Sequence, residues 1–166
     1  MEQRIVIKIG SSSLASPEGG LIRERVRFLA AEIESVLREG WQVLVVSSGA
    51  IAAGYRLLGY KTRPRLLHEK QAAAAVGQAL LMQAYEEAFA EYGRPVAQVL
   101  LTRPDFGDRL RARNALATLE VLLRQGAVPV INENDTVAVD EIRFGDNDAL
   151  SALTAALVKA DGLYML

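Results

Sequence analysis

The chain has 166 residues, is 51% hydrophobic and 23% charged, and carries a formal net charge of -1 with no cysteine. That size and composition fit one globular domain with its own core, and the charge gives no global attraction to nucleic acid or acidic lipid. The lack of cysteine excludes disulfides, thiolate metal sites and Cys nucleophiles.

The elements alternate along the chain. Arg4–Ile9 (RIVIKI) is rich in Ile and Val and stops at Gly10, which predicts a strand. Leu21–Glu39 has apolar residues at 22, 26, 29, 30, 33, 36 and 37, a helical spacing that Gly40 ends. Gln42–Ser47 (QVLVVS) is apolar enough to be a strand buried on both faces. Ala50–Leu58 reads as a short helix. Leu66–Tyr92 is long and Ala-rich, either one helix or two broken near Gly77. Pro95–Leu101 is a third strand, Phe106–Arg124 a helix and Ala127–Ile131 a fourth strand. Val137–Phe144 alternates apolar and charged residues like a hairpin excursion outside the main sheet. Ala149–Lys159 then reads as a helix and Gly162–Leu166 as a fifth strand. Repeated β-α units with uniformly apolar strands predict an α/β fold, a three-layer αβα sandwich around a mainly parallel central sheet. No linker or repeat divides residues 1–166. The chain ends inside an apolar strand, so it reads as a piece of a longer domain.

The N-terminus MEQRIVIKIG lacks a signal-peptide pattern. No apolar run approaches the ~20 residues that span a bilayer. The default expectation is a cytoplasmic protein that binds neither membrane nor nucleic acid. The basic run Arg109, Arg111 and Arg113 fits a solvated or subunit-facing helix surface better than a nucleic-acid site.

Ligands in open α/β sheets bind beyond the carboxyl ends of the strands. Here those ends carry Lys8-Ile-Gly-Ser-Ser-Ser13, Ser47-Ser-Gly-Ala50, Thr102-Arg103 and Asn132-Glu-Asn-Asp135. Glycines let backbone N–H groups approach phosphate oxygens, and a lysine just before such a loop can reach a transferring phosphoryl group. The competing reading makes Lys8 an edge-strand charge and KIGSSS a plain turn. Gly49 to Gly54 is not a P-loop, since Tyr55-Arg56 follows. No strand is followed by G-x-G-x-x-G, which counts against a nicotinamide-dependent dehydrogenase. The single histidine, His68, falls on a helix surface, leaving no Ser-His pair. In INENDTVAVDEIRFGDNDAL nine of twenty residues are Asp, Glu or Asn. One of Asp146 or Asn147 fits a helix N-cap. The spacing does not match a calcium loop, and no protein metal site is expected.

KIGSSSL, VVSSGAIAAG, KQAAAAVGQ, LLTR, PVINENDTV and FGDNDALSA occur in this order. Together they resemble the glutamate 5-kinases, a family of the amino acid kinase fold, over essentially the whole chain. The resemblance implies ATP-dependent phosphorylation of the L-glutamate side-chain carboxylate, with Mg²⁺ brought by ATP. It implies that Lys8 binds ATP phosphates, with Gly10, Ser11 and Ser12 as the phosphate loop. Ser48, Asp135 and Asn147 would bind glutamate, with Gly49, Ala50, Asn132 and Asp146 close by. Asp148 would organise the catalytic lysines. In that reading Asp135, with Asp146, pairs with the substrate ammonium, while Asn147 and Ser48 donate to carboxylate oxygens. Asp140 and Glu141 would face solvent. Proline as feedback inhibitor and a homodimer or tetramer are also implied. The resemblance further implies that the rest of the nucleotide lobe, and any PUA domain, lie outside these residues. The competing expectations are another kinase of the same fold, such as an acetylglutamate, aspartate or uridylate kinase, and an inactive amino-acid-binding fragment or sensor.

Overall fold

The computed structural model describes residues 3–139 and 147–166. Its strands are Arg4–Ile9 (β1), Gln42–Ser47 (β2), Val96–Leu101 (β3), Val128–Glu133 (β4) and Gly162–Met165 (β5). Its helices are Ser11–Leu14 (α1), Arg23–Arg38 (α2), Ala50–Gly54 (α3), Leu67–Ala90 (α4), Arg103–Gly107 (α5), Arg109–Arg124 (α6) and Asp148–Leu157 (α7), with a 3-10 turn at Tyr55–Leu58. The strands form one sheet in the order β3-β4-β2-β1-β5, and the pairs are parallel.

Strand parity sorts the side chains into two cores. Ile5, Ile7, Ile9, Val43, Val45, Val128 and Val130 pack with α2 and α4 on one face. Val6, Leu44, Val46 and Ile131 pack with Leu119 and Leu123 of α6 and Leu150 of α7 on the other. The result is the αβα sandwich expected. Val43 to Val46 are fully buried, as a central strand covered on both faces requires.

The layering follows from handedness. Parallel crossovers are right-handed, so a chain moving one way along a sheet covers one face and covers the other when it returns. From β1 to β2 to β3 the chain passes over the α2/α4 face. From β3 to β4 to β5 it returns over the α6/α7 face. The neighbours β2 and β4 therefore send their outgoing chains to opposite faces. A crevice opens between their carboxyl ends, the switch point where such folds bind ligands.

Several boundaries differ from the sequence reading. Gly77 does not break α4, which runs unbroken through it. Instead α3 crosses α4 there backbone to backbone: a methyl group on Gly77 would meet the Ala50 carbonyl oxygen at 1.7 Å, and one on Gly54 the Ala73 carbonyl oxygen at 2.0 Å. Ala50 and Gly54 of SSGAIAAG meet Ala73 and Gly77 of QAAAAVGQ in this contact. The expected Phe106–Arg124 helix is two helices, because Asp108 accepts from the Leu110 and Arg111 N–H groups and starts α6 afresh. Thr102 and Asp105 form a capping box on α5, so this strand end is spent on helix initiation. Only the first half of the 50–58 segment is α-helical. Of the expected hairpin 137–144, residues 140–144 lie outside the described residues, and Val137 to Val139 form no strand.

Gly77→Ala is expected to destabilise the protein by about 1–3 kcal/mol, because overpacking outweighs the better helix propensity of Ala. Urea denaturation tests this, and an unchanged or raised midpoint would contradict the backbone contact.

Candidate active site

The crevice is built by residues whose parity aims them at it. Lys8 shares its face with Val6, so its ammonium points toward α7 rather than α2. It is only 9% exposed and belongs to an interior strand, which removes the edge-charge reading. Its Nζ lies 2.9 Å from Oδ1 of Asp148, the first residue of α7. Asp148 is well exposed, and its charge also suits a helix N-terminus. The pair thus places a compact cation, held from one side by a carboxylate, at the mouth of the crevice. Gly10 follows directly, and a methyl group there would lie 3.5 Å from Lys8 Nζ and 3.2 Å from the Leu166 carbonyl oxygen.

The loop after β1 is narrower in function than the sequence suggests. The Gly10 N–H donates to the Leu166 carbonyl (2.9 Å), so it is not open to a phosphate. Ser11 and Ser12 begin α1, where first-turn N–H groups have no intrahelical acceptor. After β2, Gly49 takes φ 107°, a turn that only glycine makes easily. This carries the chain from Ser48 into α3, whose buried Ala50 opens that helix. The Ser48 N–H is anchored on the Ile9 carbonyl at 2.9 Å.

Asn147 closes the crevice from the opposite face. It occupies the N-cap position of α7 with φ 65°, a conformation that asparagine tolerates. Its side chain does not cap the helix. Instead Nδ2 donates to the Ser47 carbonyl (3.1 Å), Ser48 Oγ (3.3 Å) and Asn132 Oδ1 (2.7 Å). The expectation that Asn147 donates to a substrate carboxylate is therefore corrected. Its two N–H bonds are already used, and it offers a ligand only its carbonyl oxygen. Asn132 shares the face of Val128 and Val130, and its Nδ2 donates to Gln78 Oε1 of α4 at 2.8 Å. Beneath Ser47, the buried Tyr85 hydroxyl lies 2.9 Å from Ser47 Oγ. Burial raises the Tyr85 pKa, and the Ser47 hydrogen bond pulls it back only in part.

Two cavities flank this seam. The larger, about 690 Å³, is lined by Ser11 and Ser12 together with Arg25, Arg56, Lys61 and Arg63. The smaller, about 310 Å³, is lined by Ala74, Gln78, Gln98, Glu133 and Asp135. Burial, the charge of Glu133 and an opposing pull from Arg63 leave Asp135 with a pKa raised to about 6. Burial also raises Glu133. This pair of carboxylates, offset only in part by Arg63, suits a ligand cation. Asp135 thus stands with Glu133 on the β3 side of the seam. Asp146 lies outside the described residues, as do Asp140 and Glu141. His68 is exposed, as expected, and so are Arg109, Arg111 and Arg113, with Arg111 paired to Asp105.

Sequence reasoning gave no role to Gln78, Gln98 or Tyr85. A signal was present for the first two: Gln78 ends the Ala-rich run KQAAAAVGQ, and Gln98 is the lone amide of PVAQVLL. Gln78 is half-buried, so it has to find a partner, whereas Gln98 is exposed and burial forces none on it.

A parallel αβα sheet with a basic–acidic pair and small polar loops at one switch point is a frame suited to binding a small polar ligand. The profile of the Amino acid kinase family matches residues 3–166, and the chain belongs to that family. Proteins named glutamate 5-kinase from Geobacter metallireducens and Geobacillus thermodenitrificans are 57% and 54% identical over 164 residues. In each case the match covers 99% of this chain and 44% of the relative, so the chain spans less than half the length of these curated relatives. The crystal structure of aspartate kinase from Synechocystis superposes with a TM-score of 0.62 at 21% identity, over 97% of this chain and 28% of that one, a likeness of fold.

The Asp135 shift carries a stability consequence. Its folded pKa lies above the value of 3.8 it would otherwise have, so its contribution is fully present below pH 3.8 and is lost as pH rises through about 6. Asp135→Asn is expected to remove this loss, gaining on the order of 2–3 kcal/mol relative to wild type at pH 7.5. Chemical denaturation of both proteins at pH 4 and 7.5 measures it, and an equal difference at the two pH values would contradict the burial of Asp135.

Proposed function

We propose that this chain belongs to an enzyme that transfers the γ-phosphoryl group of ATP to the side-chain carboxylate of L-glutamate. The product is glutamyl 5-phosphate, the first intermediate toward proline. Residues 1–166 would form the glutamate-binding portion of the kinase domain. One observation carries the reading: segments shared with the family converge on a single crevice, with Lys8 Nζ 2.9 Å from Asp148 and Asn147 spanning Ser48 and Asn132. The identity to proteins named glutamate 5-kinase supports the choice of substrate.

The chemistry asks little of the protein beyond placement and charge. A glutamate side-chain carboxylate is ionised at neutral pH, so its attack needs no general base. Its oxygen forms a bond to the γ-phosphorus while the bond to the bridging oxygen of ADP breaks, and ADP leaves with that electron pair. Lys8 lies where its ammonium can meet charge on the transferring group, with Asp148 holding it in place. The first-turn N–H groups of Ser11 and Ser12 add donors on the same side. Among the described residues no group of three or more His, Cys, Asp or Glu is placed to hold a metal. A Mg²⁺ would arrive on the ATP phosphates and, bound there, would neutralise phosphate charge. Asp135 and Glu133 offer two carboxylates to the α-ammonium, and the Asn147 carbonyl gives a third acceptor. The same reading has the enzyme acting in the cytoplasm as a homo-oligomer, with proline as feedback inhibitor near the glutamate site. No described helix is long and apolar enough to cross a membrane.

The protein expressed from its complete reading frame should consume ATP in the presence of glutamate and form an acyl phosphate that hydroxylamine traps as a hydroxamate. Glutamate-independent ATP turnover, or none, would overturn the reading. Lys8→Ala should cut kcat at least ~100-fold with glutamate affinity retained by calorimetry. Asp135→Ala should raise the glutamate KM about tenfold or more and leave the ATP KM within about twofold. In the wild type the glutamate KM should climb as pH falls below about 6, as Asp135 takes up its proton. A flat profile from pH 7.5 to 5.5 would remove Asp135 from the ammonium site.

A further inference from the structure

An ordered run of amides crosses the molecule beneath the crevice. Two backbone groups fix its direction. The Ser47 carbonyl can only accept, so the Asn147 group 3.1 Å from it is the NH2. The Glu133 N–H can only donate, so the Asn132 group 2.8 Å from it is the carbonyl oxygen. That oxygen also accepts from Asn147 at 2.7 Å. The Asn132 NH2 must then face away, and it meets Gln78 Oε1 at 2.8 Å. This turns the Gln78 NH2 toward Gln98 Oε1, 3.0 Å off. The donors all run one way, from α7 through β4 and α4 to β3.

The consequence falls on Asn147. Both of its N–H bonds are spent, and among the described residues its carbonyl oxygen has no recorded partner. A neutral acceptor is what an ammonium seeks and what a carboxylate avoids. Asn132 is 3% exposed, so its NH2 has no water to replace a lost partner. Gln78 also lines the cavity that holds Glu133 and Asp135. Gln98 lines it too, but of the two only Gln78 bonds Asn132, so Gln78 joins the acidic pocket to the amides of the crevice.

We propose that Gln78 is a positioning residue for the ammonium end of the amino-acid substrate: backed by Gln98, it holds Asn132, and through Asn132 it holds Asn147 with its carbonyl oxygen available to that ammonium. This rests on the proposed glutamate-phosphorylating function. Gln78 does not touch the transferring phosphoryl group and acts on affinity for the amino acid.

The test uses the protein from its complete reading frame with Gln78→Leu and Gln78→Glu. Gln78→Leu removes the acceptor for Asn132. It should raise the glutamate KM about tenfold, the usual scale for a buried donor left unpaired, with kcat and the ATP KM within about twofold. Gln78→Glu keeps an acceptor for Asn132 and should restore most of the glutamate affinity. In ligand-free protein, the side-chain NH2 resonances of Asn147, assigned by their loss in Asn147→Asp, should shift in Gln78→Leu and return in Gln78→Glu. An unmoved glutamate KM in a folded Gln78→Leu protein, parallel loss of kcat and both KM values, or unmoved Asn147 resonances would overturn the role. If wild type shows no glutamate-dependent turnover the functional reading itself fails. The Asn147 resonances then still report whether Gln78 orients that amide, and an unmoved pair would sink the relay as well.

Discussion

One asparagine holds the working edge of this molecule together. Right-handed crossovers force the chain to cover one face of the sheet going out and the other coming back, and the two directions part between β2 and β4. Such a gap exposes the last carbonyls of both strands. Asn147 enters it from α7 in a left-handed conformation and satisfies acceptors on each side. The strain of that backbone is small for asparagine, and the reward is a crevice whose walls are hydrogen-bonded to each other through one amide. It links Ser48 to Asn132 and stands next to Asp148.

Charge is distributed to match. On the β1 side a lysine is paired with a partly solvated aspartate, so its positive charge is located without being buried unpaired. The neighbouring larger cavity is rimmed with Arg25, Arg56, Lys61 and Arg63 against the single acid Glu18. On the β3 side two carboxylates share a small, partly dry pocket. Between them runs a seam of neutral amides. A basic region and an acidic region thus lie on either side of neutral amides, and Arg63 of the first still acts on Asp135 of the second.

Much of this was legible beforehand, for specific reasons. QVLVVS could only be a strand covered on both faces, and the polar residues after each strand marked the edge that matters. KIGSSS was ambiguous by itself, because a lysine in a strand is as often at a sheet margin. The order of strands settled it, and strand order is not written in local pattern. The orientation of Asn147 was misread for a similar reason. Asn147 does take the N-cap position, but its NH2, expected to meet a substrate carboxylate, is turned to Ser47 and Asn132, which only the three-dimensional neighbourhood shows. Gly77 looked like a helix break because glycine weakens a helix by propensity. The reason for it is the close approach of another backbone, which a one-dimensional pattern cannot register.

That crossing of α3 over α4 has a wider meaning. With less than a methyl group of clearance at Gly54 and Gly77, the segment leading out of Ser48 and the helix bearing Gln78 cannot slide past one another. The two form a single rigid jaw. Any closing motion around a ligand has to come from the opposing side, where α7 meets the crevice. Changes in what the site accepts would accordingly accumulate there and in the basic rim, while the glycine crossing stays invariant to such retuning.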